Sequence, residues 1–160
     1  MEEKVNVKFR LVSIDNERYA PNFEGVDFSS IPEEKLKFQY KIDTVIQMSK
    51  DTILVIPSIR YSYEGNELLI ANAVFTYSVL NLDSAIILDK ENQRIIVKAD
   101  IFPSLVGAAY STLRGIVYAR ASGTHLGKYP LPMIDVKTLV EKNGIPVRDR
   151  AAQRTNTPYF

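Results

Sequence analysis

Residues 52–80, TILVIPSIRYSYEGNELLIANAVFTYSVL, decide the fold of this chain. β-Branched and aromatic residues fill two runs, 52–63 and 67–80, and this enrichment is typical of β-strands. Glu-Gly-Asn at 64–66 separates the two runs and suits a tight hairpin turn. Pro57 has no N–H to donate to a ladder, so we expect its strand to be bulged or at a sheet edge there. The stretch therefore predicts an antiparallel hairpin.

Two further strands are predicted upstream of the hairpin. Residues 4–11 and 35–42 alternate apolar with polar side chains, which is the period of a half-exposed strand. Between them, residues 14–34 lose this alternation and contain Pro21 and Pro32, which predicts a long loop. Together the four runs predict an antiparallel sheet with a polar outer face and an apolar inner face.

A long helix is predicted downstream, over residues 100–120. It is apolar on two faces, whereas one sheet covers only one side of a helix, so the pattern predicts an oligomer. We expect Arg114, a charge within a buried helix, to make a salt bridge or an intersubunit hydrogen bond in preference to binding a ligand. One of the two apolar faces of the helix comprises Val106, Tyr110, Leu113 and Val117. The predicted subunit interface comprises Leu105, Ala108, Ala109, Thr112, Arg114 and Ile116.

The remaining segments complete the predicted fold. Residues 83–99 are interpreted as a strand extension, a turn at DKENQ and a short extended return. Residues 135–143 predict a short helix that Asp135 caps. The expected fold class is α+β, with a four-stranded antiparallel sheet packed on one long helix plus a short C-terminal helix. Residues 1–145 are predicted to form a single domain, followed at 146–160 by a flexible basic and polar tail.

Composition narrows the class of protein. The 160 residues are 46% hydrophobic and 24% charged, which is typical of one globular domain. A net charge of +1 lacks the basic excess of a general nucleic-acid binder. The absence of cysteine excludes disulfides and suits a reducing cytoplasm, and the N-terminal MEEKVNVKFR has no apolar signal-peptide region. Residues 101–119 contain Pro103, Gly107 and Arg114, so we expect burial within protein and no membrane insertion.

No residue pattern in the sequence predicts catalysis. His125 is the only histidine, and no carboxylate or second histidine follows at metal-ligand spacing, so it is interpreted as a surface loop residue. Neither a Gly-x-Ser-x-Gly elbow nor a glycine-rich phosphate loop occurs. The sequence therefore predicts a protein that is not an enzyme and that uses neither a metal nor a cofactor.

Apolar residues in two predicted loops are the stronger functional signal. The loop at 15–35 contains several aromatic residues, and the loop at 122–133 contains the run Tyr-Pro-Leu-Pro-Met. Aromatic and methionine side chains offer large, adaptable apolar area, which favours a binding surface. The alternative is that both loops fold down as part of the core.

The order of these segments resembles the SecB family of export chaperones over residues 4–142. The quoted matches are RYAPNFEG before the predicted sheet strands, IFPSLVGAAYSTLRGIVYAR opening the long helix, and LPMIDVKTL leading into the second helix. The resemblance implies a cytoplasmic homotetramer, a dimer of dimers with its long helices between two sheets. It also implies apolar grooves that hold unfolded polypeptide without ATP or metal. By position, the groove residues are Tyr19, Phe23, Phe28, Leu126, Tyr129 and Met133.

One departure from that family concerns charge. Export-type members are acidic and are thought to dock the motor SecA through an acidic sheet face. In this chain the predicted exposed faces of the first two strands are basic, which argues against SecA docking. These basic residues are Lys4, Lys8, Arg10, Lys35, Lys37 and Lys41.

The leading hypothesis is a holdase for non-native polypeptides, serving protein export or a dedicated client such as an antitoxin. A second hypothesis is a small-ligand binder or enzyme of hot-dog-like architecture, with Asp100 as its carboxylate. A closed, ligand-sized cavity would favour this second hypothesis over an open groove. A third is an inert accessory oligomer whose loops are simply packed.

Overall fold

The fold is α+β. The structure, a computed structural model, describes residues 7–89, 91, 94–97, 101–137 and 147–149. The strands of its main sheet are β1 Lys8–Pro21, β2 Lys37–Gln47, β3 Thr52–Tyr63, β4 Asn66–Leu80 and β7 Val147–Asp149. The first four have the order β1-β4-β3-β2, all antiparallel, and the short β7 joins the outer side of β2 in parallel.

The β3–β4 hairpin confirms the sequence prediction. Tyr63 pairs with Asn66, and the two residues between them have positive φ, 50° at Glu64 and 80° at Gly65. Positive φ at both central residues is the backbone of a type I′ turn, whose twist suits a tight hairpin. Glycine meets this requirement without steric cost.

The prediction for Pro57 is wrong, because β3 lies between β2 and β4 and not at an edge. The ladder from β3 to β4 is interrupted at Ile56 and Pro57, as expected for a residue that has no N–H. The register is the same on both sides of this gap, and the shift in this ladder falls between Tyr61 and Ser62. The proline is therefore accommodated by a gap in pairing and not by a bulge.

Strand β1 is longer than predicted. It pairs with β4 as far as Pro21, so the predicted loop is wrong over residues 14–21. Register shifts occur between Leu11 and Ser13 and between Asp15 and Arg18. Each shift breaks the period of two without ending the strand, which is why the alternation disappears.

A crossover segment, residues 22–36, connects β1 to β2. It contains 3-10 turns at Phe28–Ser30 and Glu33–Lys35. Because β2, β3 and β4 then follow one another as neighbours, this segment carries the chain from one edge of the antiparallel sheet to the other.

The long helix, which we label α2, spans Phe102–Ala121 and confirms the predicted helix. Pro103 lies in its first turn, where a missing N–H leaves no intrahelical bond unmade. One face packs on the sheet, with the hydroxyl of Tyr77 on β4 donating to the carbonyl of Leu105 at 3.4 Å. The buried positions are Phe102, Leu105, Val106, Ala109, Tyr110, Leu113, Val117 and Ala121.

The predicted polar outer face of the sheet is wrong at its centre. Leu54, Ile56 and Ile70 lie on the face opposite α2 and are buried. The run ILVIPSI in β3 is apolar on successive residues, and such runs belong to strands that are buried on both faces.

The region after β4 folds into a one-turn helix, α1 (Leu82–Ala85), and a hairpin of β5 (Ile86–Asp89) with β6 (Arg94–Val97). The extended return predicted within residues 83–99 is thus confirmed at β6, whereas the predicted strand extension is wrong over residues 83–85, which belong to α1. Of the predicted second helix, residues 136 and 137 are helical, and residues 138–143 lie outside the described residues.

Part of the segment predicted as a tail forms the strand β7. Residues Val147–Asp149 pair with Thr44–Ile46 of β2. Residue 146 and residues 150–160 of the predicted tail lie outside the described residues.

Candidate functional site

An aromatic cluster lies beside α2 at the β2 side of the sheet. Phe38 and Tyr40 project from the same face of β2 because strand side chains alternate. Phe38 contacts Tyr61 of β3 with ring centroids 5.5 Å apart, and Tyr40 contacts Tyr110 of α2 at 6.3 Å. Phe38 and Tyr40 themselves stack at 6.0 Å. We call these four residues the aromatic cluster.

Two tyrosines of this cluster anchor the segment that follows α2. The hydroxyl of Tyr61 donates to the carbonyl of Tyr129 at 3.0 Å, and that of Tyr110 donates to the carbonyl of Pro132 at 2.9 Å. Next to this anchored segment Met133 is 84% exposed, and Tyr40 is 39% exposed. Tyr40 contacts Tyr110, and the Tyr110 hydroxyl bonds the residue before Met133, so we group Tyr40 and Met133, two exposed apolar side chains linked through Tyr110, as the β2-side surface.

Alkaline pH is expected to loosen this anchor. Burial raises the pKa of Tyr61 to about 12, assisted by Tyr110, and burial also raises the pKa of Tyr110 to about 12, which the charge of Arg114 opposes. Because the folded pKa lies above the unfolded value, the two tyrosines contribute stability fully below pH 10. This contribution is lost as the pH rises from 10 to about 12.

Urea unfolding at a series of alkaline pH values measures that loss. The Tyr61→Phe/Tyr110→Phe variant lacks both hydroxyls and is expected to lose less stability over this interval. An equal loss in the variant and the unmodified chain would contradict the assignment to these two tyrosines.

A second exposed apolar area lies on β1. Four large residues there, Phe9, Leu11, Val12 and Ile14, are between 39% and 54% exposed. No strand that the structure describes pairs with the outer side of β1. We call this strand side the β1 edge. It combines unpaired main-chain groups with apolar side chains, which is the composition of an association site.

The crossover segment meets the segment after α2 through stacked rings. Phe28 lies edge-on to Phe23 at 5.1 Å and parallel to the imidazole of His125 at 4.8 Å, with 6° between the planes. Phe28 is only 8% exposed, whereas His125 is exposed, as the sequence predicted. The predicted groove residues Phe23 and Phe28 are thus together, and Phe28 also packs on His125.

The other four predicted groove residues lie in different places. Leu126 is buried and Tyr129 half-buried, and both line a cavity of about 10 Å³ beneath α2. Met133 belongs to the β2-side surface. Tyr19 lies on β1 with the guanidinium of Arg120 over its ring at 5.8 Å, and burial raises its pKa.

The cavity bears on the small-ligand hypothesis. Ligand pockets measure roughly 300–1,000 Å³, whereas the cavity under α2 has room for about one water molecule. Gly127 lines it, and a Cβ there would lie 2.8 Å from the carbonyl oxygen of Ala121, so the loop approaches the end of α2 this closely only with glycine at this position. Asp100, the proposed carboxylate, lies outside the described residues. No observation on the described residues favours this hypothesis over polypeptide binding.

The residues of the predicted subunit interface differ in their exposure in the single chain. Leu105 and Ala109 are fully buried within the single chain, whereas Ala108 and Thr112 are exposed. Arg114 and Ile116 are half-buried, and Arg114 makes no ion pair with any residue that the structure describes. The exposed side of α2 thus offers small residues for a close approach of another surface.

Basic residues lie on the outer face of the sheet, opposite α2. Lys8, Arg10 and Lys37 are exposed there. Lys41 pairs with Asp43 at 2.9 Å. Lys35 lies in a 3-10 turn and not on a strand, and Lys4 is outside the described residues.

Metal-binding clusters and membrane-spanning helices are absent from the described residues. Within those ranges, no group of three or more histidine, cysteine, aspartate or glutamate residues is arranged to hold a metal ion. No helix in this part of the chain is long and apolar enough to cross a membrane.

Comparisons with known proteins leave the family open. No family model and no curated protein matches the chain. A similar solved structure is described as the crystal structure of a protein of unknown function from Streptococcus agalactiae. It is 10% identical, covers 82% of this chain and 99% of its own, and has a TM-score of 0.39.

Proposed function

We propose that the protein is a cytoplasmic, ATP-independent holdase of the SecB type, which binds non-native polypeptides. The observation that carries the proposal is the β2-side surface. There, Met133 is almost fully exposed on a segment that two tyrosine hydroxyls hold in place. A flexible thioether and an aromatic ring on a rigid support accept apolar segments of varied shape.

Binding at this surface requires no nucleotide. Apolar client side chains that cover Tyr40 and Met133 leave water, which stabilises the complex by about 25 cal/mol per Å² of apolar area. Folding of the client removes the same side chains from the surface and releases it. Clients in protein export or a dedicated client such as an antitoxin both meet this requirement, whereas the basic outer face is unsuited to the basic docking element expected of SecA.

The proposed assembly is a homo-oligomer that forms through the β1 edge. Two β1 strands aligned antiparallel about Ser13 place Arg10 of each copy opposite Asp15 of the other, and Leu11 opposite Ile14. The two residues of each pair lie on the same face of the sheet. This is because the ladder between β1 and β4 skips Val12, so Leu11 and Ile14 project from one face and Arg10 and Asp15 from the other. Leu11 and Ile14 lie with Tyr77 and Phe75 on the face that packs on α2. Arg10 and Asp15 lie with Ser78 and Val74 on the outer face, opposite α2.

The exposed side of α2 suits the second contact of a dimer of dimers. Ala108 and Thr112 leave the helix backbone accessible, and the Thr112 hydroxyl already donates to the Ala108 carbonyl at 2.8 Å. No polar group of this pair therefore remains to be satisfied when another helix covers it.

An aggregation assay tests the proposed function. A reduced, unfolded client diluted from denaturant is expected to scatter progressively less light as the protein is added, with suppression complete near a stoichiometric ratio. ATP should have no effect, and an equal mass of an inert folded protein serves as the control. Scattering that is unchanged at a several-fold excess of the protein would contradict the holdase proposal.

A further inference from the structure

The crossover segment buries two apolar residues within a polar stretch. Phe28 and Ile31 are 8% and 7% exposed, whereas Asp27, Ser29 and Ser30 around them are exposed. The Asp27 carboxylate fixes the turn between them, accepting hydrogen bonds from the Ser29 amide at 3.0 Å and the Ser29 hydroxyl at 2.6 Å. The turn therefore presents Phe28 and Ile31 together on its inner side.

The side chain of Phe28 packs in the core cluster and against two rings, and its carbonyl accepts a hydrogen bond only from Ile31 of the same segment among the backbone bonds described outside strands. It stacks on His125 and packs edge-on against Phe23. The segment is tied to the sheet where it begins, by the amide of Asn22 and the carbonyl of Leu68 at 2.9 Å. From 23 to 36, the other backbone hydrogen bonds outside strands that the structure describes join residues of the segment to one another.

The crossover segment can therefore leave the protein without breaking the sheet ladder. The segment contains its own two 3-10 turns, and it is connected at both ends to strands whose pairing does not involve it. It would lose the apolar contacts of the buried Phe28 and Ile31 with the core, those of the partly buried Phe23, Val26 and Leu36, and the stack on His125. These are the contacts that an apolar segment of another chain supplies equally well.

We propose that Phe28 and Ile31 act as an intramolecular plug, occupying the position that an apolar client segment takes when it displaces the crossover segment. This inference rests on the proposed holdase function and adds regulation and client preference to it. A client competes best when it resembles the plug, with an aromatic residue, two small polar residues and then an aliphatic residue. A vacant chaperone thereby keeps this apolar area covered until a client is present.

Binding of a peptide to the full chain tests the plug. The probe is a fluorescent peptide of residues 25–34, GVDFSSIPEE, measured by anisotropy. The Phe28→Ala chain should bind it about tenfold more tightly than the unmodified chain, the factor that 1.4 kcal/mol represents. The matched control is the same peptide with alanine in place of its phenylalanine, which should bind neither chain well.

The aggregation assay separates the two proposals. If the unmodified chain does not suppress aggregation, the holdase proposal fails whatever the peptide does. If it suppresses aggregation but Phe28→Ala binds the peptide no more tightly, the plug is wrong and the function stands.

A tryptophan reporter gives an independent reading should the Phe28→Ala chain not fold. The protein contains no tryptophan, so Phe23→Trp introduces a single emission from within the crossover segment. Saturation with an unfolded client that itself lacks tryptophan should shift this emission to longer wavelength and increase its quenching by acrylamide. An unchanged or blue-shifted emission, with the client shown to be bound by light scattering, would overturn the plug.

Discussion

Replacement of Arg10 by aspartate is expected to dissociate the proposed oligomer at the β1 edge. In the proposed antiparallel alignment, the introduced carboxylate faces Asp15 of the second copy, and symmetry repeats this repulsion. Each cross-strand pair contributes up to about 1 kcal/mol, so replacing two attractive pairs by two repulsive ones raises the dissociation constant about tenfold to a hundredfold. Arg10 is exposed in the single chain, so folding should be little affected.

Light scattering with size-exclusion chromatography measures the expected decrease in mass. The Arg10→Asp/Asp15→Arg variant restores two opposite-charge pairs and should restore the mass of the unmodified protein. Lys37→Asp is the matched control, because Lys37 is exposed on the same face of the sheet but belongs to β2. If the double variant remains dissociated while it stays folded, the proposed alignment is wrong.

The strands that the sequence predicted well are those whose signals are local. The β3–β4 hairpin follows from two β-rich runs and a turn whose residues must accept positive φ. The extent of β1 could not be predicted in the same way, since its register shifts are visible only against β4. A strand with bulges has the sequence pattern of a loop, although its backbone remains paired.

The candidate site was harder to predict for a different reason. Phe38 and Tyr40 were placed on a strand correctly, but which part of a strand face remains exposed depends on how far α2 covers the sheet. Phe28 and His125 are distant in sequence, and their stack makes Phe28 part of the core while Met133, in a similar apolar loop, is exposed. Composition indicated that these loops carry apolar area, and only tertiary contacts decide which residues present it.

Polar substitution of the β2-side surface is expected to remove most of the holdase activity. Tyr40→Ser/Met133→Ser eliminates the two apolar side chains that an incoming client covers, and burying a side chain of this size contributes about 1.5–3 kcal/mol. The affinity for client should therefore decrease by about tenfold or more. Met133 is 84% exposed, so its substitution should cost less than about 0.5 kcal/mol of stability. Tyr40 contacts Phe38 and Tyr110, so its substitution is expected to lower the free energy of unfolding by about 0.5–1.5 kcal/mol for each ring pair lost.

Ile87→Ser is the matched control for this variant. Ile87 is 51% exposed, but it lies on β5, in the separate two-stranded sheet. The Ile87→Ser substitution therefore removes exposed apolar area and leaves the aromatic cluster unchanged. The aggregation assay should show full suppression by Ile87→Ser and little by the Tyr40→Ser/Met133→Ser chain, under conditions in which urea titration shows both chains to be folded. Equal suppression by the two chains would mean that clients do not depend on the β2-side surface. The position of Phe28 and Ile31 and the β1 edge would then be tested next, since the β1 edge combines exposed apolar side chains with unpaired main-chain groups.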